Sequence, residues 1–317
     1  MVSHFRRILL VLTLVMSVSC LAIGAQAADK IRLASVGWTG VTIKTDLAVT
    51  ILQSLGYEAE NIMVSVPVAY EAMAEGDADA FMGNWMPSMA TIAQAYFDEG
   101  TVVQYVINMD GAQYTLAVPT FCAEAGLRDF SDIAEFGEEL NWEIYGIEAG
   151  NDGNLIIQAM IDQDMFGLGT FTVVPSSESG MLAQVRDFAE QGKFIVFLGW
   201  APHSMNERID MTYLTGSTDE TFGGNDGMAT VWTNIRAGFD EENPNVALLL
   251  KNMNFPVSMM NQIMTTLYED ESLTPLEAGL AWIKENPESY QGWLEGVTTV
   301  DGEPGLAAFE AYMATVE

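Results

Sequence analysis

Apolar positions along this chain change period repeatedly, and each change marks an element. Ile31-Arg32-Leu33-Ala34-Ser35-Val36 alternates, which predicts a strand ending at Gly37-Trp38. From Thr42 to Leu55 the apolar residues Ile43, Leu47, Ile51 and Leu55 recur every four positions, so an amphipathic helix is predicted, with Gly56 as its stop. Val64-Ser65-Val66 predicts a second strand, Tyr70 to Gly76 a short helix, and Asp79 to Trp85 a third strand. The same grammar returns further on. Strands are predicted at Ile144–Ile147, Phe171–Val174 and Phe194–Leu198, the last running into Gly199-Trp200, with helices at Leu155–Asp162 and Gly180–Gln191.

Strands alternating with helices imply an α/β fold with mostly parallel sheets, whose ligands sit beyond the carboxyl ends of the strands. Tyr114 to Pro119 and Ala229 to Asn234 are extended runs that would cross between two lobes, and the chain from Asn243 onward is helical in pattern. The expected organisation is a segment 1–27 to be removed, a first lobe begun by 28–115, a second lobe 116–229, and a return to the first lobe over 230–317. Two crossings between two lobes make a hinged clam shell.

The first 27 residues change the picture of where this happens. A short cationic start to Arg7, an apolar run from Ile8 to Gly24 and the small-x-small Ala25-Gln26-Ala27 read as a secretory signal peptide, with Ala28 as the mature start. No later stretch approaches the length needed to span a membrane, so a soluble periplasmic protein is expected. His4 and Cys20 leave with the signal, so Cys122 remains as the lone thiol and His203 as the lone histidine, which excludes a disulfide and a zinc site of clustered His and Cys.

Charge narrows the partners. The 317 residues carry 12 Lys+Arg against 44 Asp+Glu, a formal charge of −32; losing Arg6 and Arg7 with the signal leaves 10 against 44, or −34. Such a polyanion repels phosphate backbones, so no nucleic acid partner is expected. An apolar content of 49% nevertheless requires a folded core.

The large aromatics carry the chemistry. Trp38, Trp85 and Trp200 stand in Gly37-Trp38-Thr39-Gly40, Gly83-Asn84-Trp85-Met86-Pro87 and Gly199-Trp200-Ala201-Pro202-His203, beside residues that turn the chain rather than within apolar faces. Tyr114 falls at the first proposed crossing. Ring faces gathered around one point attract a cation that has no N–H to satisfy, each contributing about 0.5–2 kcal/mol when water is excluded. Trp142, Trp232, Trp282 and Trp293 lack the turn context and are read as packing residues.

These segments, with Ile144-Tyr145-Gly146-Ile147-Glu148, Gly150-Asn151-Asp152-Gly153-Asn154 and Ala229-Thr230-Val231, resemble the extracytoplasmic substrate-binding proteins of ABC importers for quaternary ammonium osmolytes, the choline and glycine-betaine group. The resemblance covers nearly the whole mature chain. It implies a two-lobed periplasmic binding protein of type II that closes over its ligand, works with an inner-membrane permease, acts as a monomer and needs no cofactor. Carried over by position, the aromatic box is Trp38, Trp85, Tyr114 and Trp200, with Asn151 as a polar contact and His203 and Asp152 as secondary contacts.

One place departs from the pattern. Choline binders of this group resemble one another in an acidic residue two positions after the first Trp, and here that position is Gly40. A ligand hydroxyl without its acceptor loses about 1–3 kcal/mol in a dry cleft. Choline therefore needs Asp152 or water instead, and the ligand expected first is trimethylamine N-oxide, as in the similar binders of marine bacteria, with choline, glycine betaine and carnitine as alternatives. A loop from Thr215 to Gly227 offers Asp219, Glu220, Asn225 and Asp226; it reads either as a solvated acidic turn or as a structural Ca²⁺ site. An enzyme acting on a methylated amine is disfavoured, since Ser176 to Gly180 is no nucleophile elbow and His203 has no adjacent nucleophile.

Overall fold

The structure, a computed structural model, describes residues 30–270 and 272–316. The signal peptide expected over 1–27 lies outside the described residues. The strands are β1 (Ile31–Ser35), β2 (Ala59–Met63), β3 (Ala80–Met86), β4 (Val102–Pro119), β5 (Glu143–Tyr145), β6 (Thr172–Val174), β7 (Phe197–Ala201), β8 (Met211–Tyr213) and β9 (Met228–Arg236). They form one nine-stranded sheet in the order β2-β1-β3-β9-β4-β7-β5-β6, with β8 on the far end of β4.

The sheet has two halves of like construction. β2-β1-β3 and β6-β5-β7 are each parallel, as the alternation of strands and helices predicted. Between them lie β9 and β4, antiparallel to their neighbours, so the whole is mixed rather than mostly parallel. β4 is the physical link. Its 18 residues pair with β9 from Val102 to Gln113 and with β7 from Gln113 to Ala117, and register shifts between Gln104 and Ala112 bend it on the way.

Helices cover the sheet. α1 (Thr39–Ser54) buries the predicted face, with Ile43, Leu47 and Ile51 fully enclosed, each contributing about 1.5–3 kcal/mol by burial. α2 (Val66–Glu75) begins where a strand was expected over Val64–Val66. Ser65 there stands at the N-cap and Pro67 in the first turn, a start signal that outweighs the β-branched pair, and the strand falls earlier, at Ala59–Met63. α3 (Asp152–Asp162) and α4 (Glu178–Glu190) belong to the second half. α5 (Val257–Glu269) and its helical neighbours Pro244–Asn252 and Pro275–Glu285 pack on the first half, sharing a core with α1 through Leu47, Leu250, Met260 and Ile263. Among the described residues no helix is long and apolar enough to cross a membrane.

Candidate functional site

Each ring of the expected box is placed by an element end or a strand register. Trp38 follows β1 and stands at the N-cap of α1 with φ −96° and ψ 135°, which carries the indole forward beyond the sheet. Trp85 is the penultimate residue of β3 and pairs with Val231 of β9, which on its other side pairs with Met109 of β4. Tyr114 lies where β4 passes from β9 to β7, directly opposite Trp200. Trp85 and Trp200 thus lie inside strands, not after them. The Tyr114 ring sits 6.0 Å from Trp85 and 6.3 Å from Trp200, both edge to face, and Phe222 backs it at 5.4 Å. Trp38, Trp85, Tyr114 and Trp200 line one cavity together with Asn151 and Asp152.

The polar groups are held by local logic. Asn151 caps α3, its side-chain oxygen accepting from the backbone N–H of Gly153 and Asn154 and from the Tyr114 hydroxyl at 3.2 Å. Gly153 permits this approach, because a Cβ there would lie 2.0 Å from the Tyr114 hydroxyl oxygen. Burial, with Asp152 and Glu148 nearby, pushes the Tyr114 phenol well above its ordinary range, so it stays a neutral donor. The Asp152 carboxyl accepts at Oδ1 from Asn151 Nδ2 at 2.8 Å, while Oδ2 is buried with no partner. Burial is the chief cause that raises its pKa to about 6. Asp152 lines the cavity and places a carboxylate beside the rings.

His203 is placed behind Trp200, with ring centroids 5.1 Å apart. Its Nδ1 accepts from the backbone N–H of Met205 at 3.0 Å, and its Nε2 lies 3.1 Å from Glu178 Oε1, so both ring nitrogens are engaged within the second half. It supports Trp200 and does not line the cavity. Across the cleft, Trp38 Nε1 donates to Glu148 Oε1 at 2.9 Å, and the backbone N–H and hydroxyl of Thr39 donate to the Glu178 carboxylate. These bonds join the first turn of α1 to the second half of the sheet, so the halves are shut on one another.

Apart from Gly40, the far wall was not foreseen from the sequence. Gly40, Val41 and Lys44 of α1, Met109 of β4, and Met260 and Met264 of α5 extend the cavity into the first half. Met260 and Met264 lie one turn apart on one helix face, and Lys44 one turn beyond Gly40. That spacing was readable, but the residues come from three distant segments with no shared turn motif.

Of the two readings of the loop from Thr215 to Gly227, solvated acidic turn or Ca²⁺ site, the side chains favour the turn. Among the described residues no three His, Cys, Asp or Glu side chains converge as metal ligands. Asp219 Oδ1 instead accepts from the Gly224 backbone N–H at 3.2 Å, and the Asp226 carbonyl accepts from Gln113 Nε2 at 2.9 Å. Asp219, Glu220, Asn225 and Asp226 serve a hydrogen-bonded turn.

A cavity walled by rings from both halves of a sheet, and bridged across its cleft by hydrogen bonds, defines a two-lobed ligand-binding protein. Residues 29–285 match the OpuAC family, the substrate binding domain of ABC-type glycine betaine transport systems, and the chain belongs to that family. It is thus a transport binding component rather than an enzyme. It is 47% identical to a choline binding protein of an ABC transporter solved in complex with choline, with a TM-score of 0.87 over 90% of this chain and 98% of that one. The choline binding protein in an unliganded semi-closed conformation gives 48% identity and a TM-score of 0.81 over the same shares. The glycine betaine/carnitine transport binding protein GbuC of Listeria monocytogenes is 28% identical over 169 residues, 53% of this chain and 54% of that protein.

Proposed function

We propose that this protein captures a compact trimethylammonium compound in the periplasm, as a monomer, and delivers it to the inner-membrane permease of an ABC importer. The observation that carries this is the convergence of Trp38, Trp85, Tyr114 and Trp200 on one cavity that the buried carboxyl of Asp152 also lines. Ring faces attract a methyl-capped cation, and Asp152 supplies countercharge. The lobes are read as 28–115 with 230–317, and 116–229. Ligand shifts the population toward the shut form through contacts that only that form completes.

The relatives put choline, glycine betaine and carnitine ahead of trimethylamine N-oxide as ligands. The N-oxide keeps one observation in its favour. At Gly40 there is no side chain to accept a hydroxyl, and the methyl of Met264 closes in on the place where one would begin. Tryptophan fluorescence and calorimetry with choline, glycine betaine, carnitine and the N-oxide, alongside ethanolamine and glycine, test the reading. Saturable binding of a methylated compound and none of its unmethylated counterpart is expected; indifference to all four methylated compounds refutes it.

A further inference from the structure

Gly40 and Lys44 of α1 line the cavity together with Met260 and Met264 of α5. The Met264 methyl packs against Gly40, where a Cβ would come within 2.9 Å of it. One helical turn further on stands Lys44, only 2% exposed. No carboxylate pairs with it among the described residues. Its Nζ donates to Asn108 Oδ1 at 2.9 Å. Asn108 is itself wholly buried, and its Nδ2 donates to the Met82 carbonyl at 3.1 Å and to Thr233 Oγ1 at 3.0 Å. The amide oxygen is therefore fixed toward Lys44 and the amine is held in place. One acceptor uses one of the three donors of an ammonium group. A buried cation without a counterion is costly, and the cost is relieved by an anion brought to it.

The two charged groups of the cavity wall come from opposite halves: Asp152 from the first turn of α3 and Lys44 from α1. We propose that Lys44 forms a second subsite, for an anionic oxygen of the ligand, so that the site prefers zwitterionic trimethylammonium carboxylates to choline. This rests on the reading that the rings hold the trimethylammonium head.

Burial alone brings the Lys44 amine down to about 7. Asn108 of β4 and the Phe255 ring at 5.8 Å, which face it, do not titrate, nor do Met260 and Met264 of the cavity wall; Asp152 and Tyr114 are the titrating groups that line the same cavity. A bound carboxylate holds the amine protonated, so binding takes up a proton near pH 7.

The test is calorimetry of wild type and Lys44→Met with glycine betaine, γ-butyrobetaine and choline, each in two buffers of different ionisation enthalpy near pH 7. The expected result is net proton uptake with a carboxylate ligand and not with choline. Lys44→Met should cost that carboxylate at least tenfold more affinity than it costs choline. Should Lys44→Met not fold, Lys44→Gln, neutral and able to keep a hydrogen bond to Asn108, is expected to shift preference in the same direction. Equal losses for carboxylates and choline, or carboxylate binding without proton uptake, overturn the subsite while leaving the aromatic box intact. Failure of every trimethylammonium compound to bind wild type overturns the box itself.

Discussion

Glu178→Gln isolates the bond that shuts the cleft. The Glu178 carboxylate is 7% exposed; it accepts from the Thr39 backbone N–H at 3.3 Å and from the Thr39 hydroxyl, while His203 steadies it from its own half. Gln keeps the shape and removes the charge. A hydrogen bond to a charged group contributes about 1.5–3 kcal/mol net and a neutral one about 0.5–1.5, so the substitution removes about 1–1.5 kcal/mol. The lost anion at the N-terminus of α1 adds about 0.3–1 kcal/mol. Thr39 and Glu178 belong to opposite halves, so the whole loss falls on the closed form. With 1.4 kcal/mol for each tenfold, apparent affinity should drop by about 8- to 60-fold. Most of it should show as faster ligand release in stopped-flow fluorescence. A folded variant that binds as tightly as wild type, or tighter, refutes the reasoning, because the desolvation of the carboxylate would then outweigh what Thr39 returns.

Further predictions concern the cavity itself. Trp85→Ala or Trp200→Ala removes one ring face and its apolar contact, about 1–2 kcal/mol or more, and calorimetry should show binding weakened beyond tenfold with the fold intact by circular dichroism. Gly153→Ala drives a methyl into the Tyr114 hydroxyl 2.0 Å away; the ring or the start of α3 must shift, and affinity should fall though no ligand-facing side chain is removed. With its pKa raised to about 6, Asp152 loses its charge as pH falls through 6, so choline affinity should decline there and Asp152→Asn should flatten the profile. In the unliganded protein the sign reverses. Between 3.8 and about 6 the native state binds more protons than the unfolded one, so this group adds stability as pH falls through that window, which thermal denaturation of wild type against Asp152→Asn would report.

The box was legible because its residues advertise themselves locally. Trp38, Trp85 and Trp200 each stand among turn formers, and a strand end or register then needs only the fold to bring them together. The α1 face was legible for the same reason, its Ile43-Leu47-Ile51 spacing being a local signal. What stayed hidden was non-local. β4 read as extended only over Tyr114–Pro119, since Gly111 and the polar residues before it interrupt the alternation that β9 restores by pairing. Lys44 lies within an apolar helix where a basic residue looks misplaced, and only the approach of Asn108 from β4 and of Met264 from α5 shows what it faces. The acidic loop left two readings open, since its composition suited either a cation or a solvated turn; Asp219 accepting from the Gly224 backbone favours the turn.

Because Tyr114 and Trp200 are neighbours across the β4–β7 ladder, they travel as one piece. On the proposed opening of the lobes, Trp38 and Trp85 withdraw with the body of the first lobe, while Tyr114, at the crossing itself, keeps its pairing with Trp200 and the two stand as a ready-made corner. An incoming solute can therefore settle against two aromatic surfaces before any motion is required, and the later arrival of the other two acts as a commitment step. Capture and retention become separable: the first is set by a rigid wall available at every encounter, the second by how long the gate formed by Trp38, Glu148, Thr39 and Glu178 stays latched.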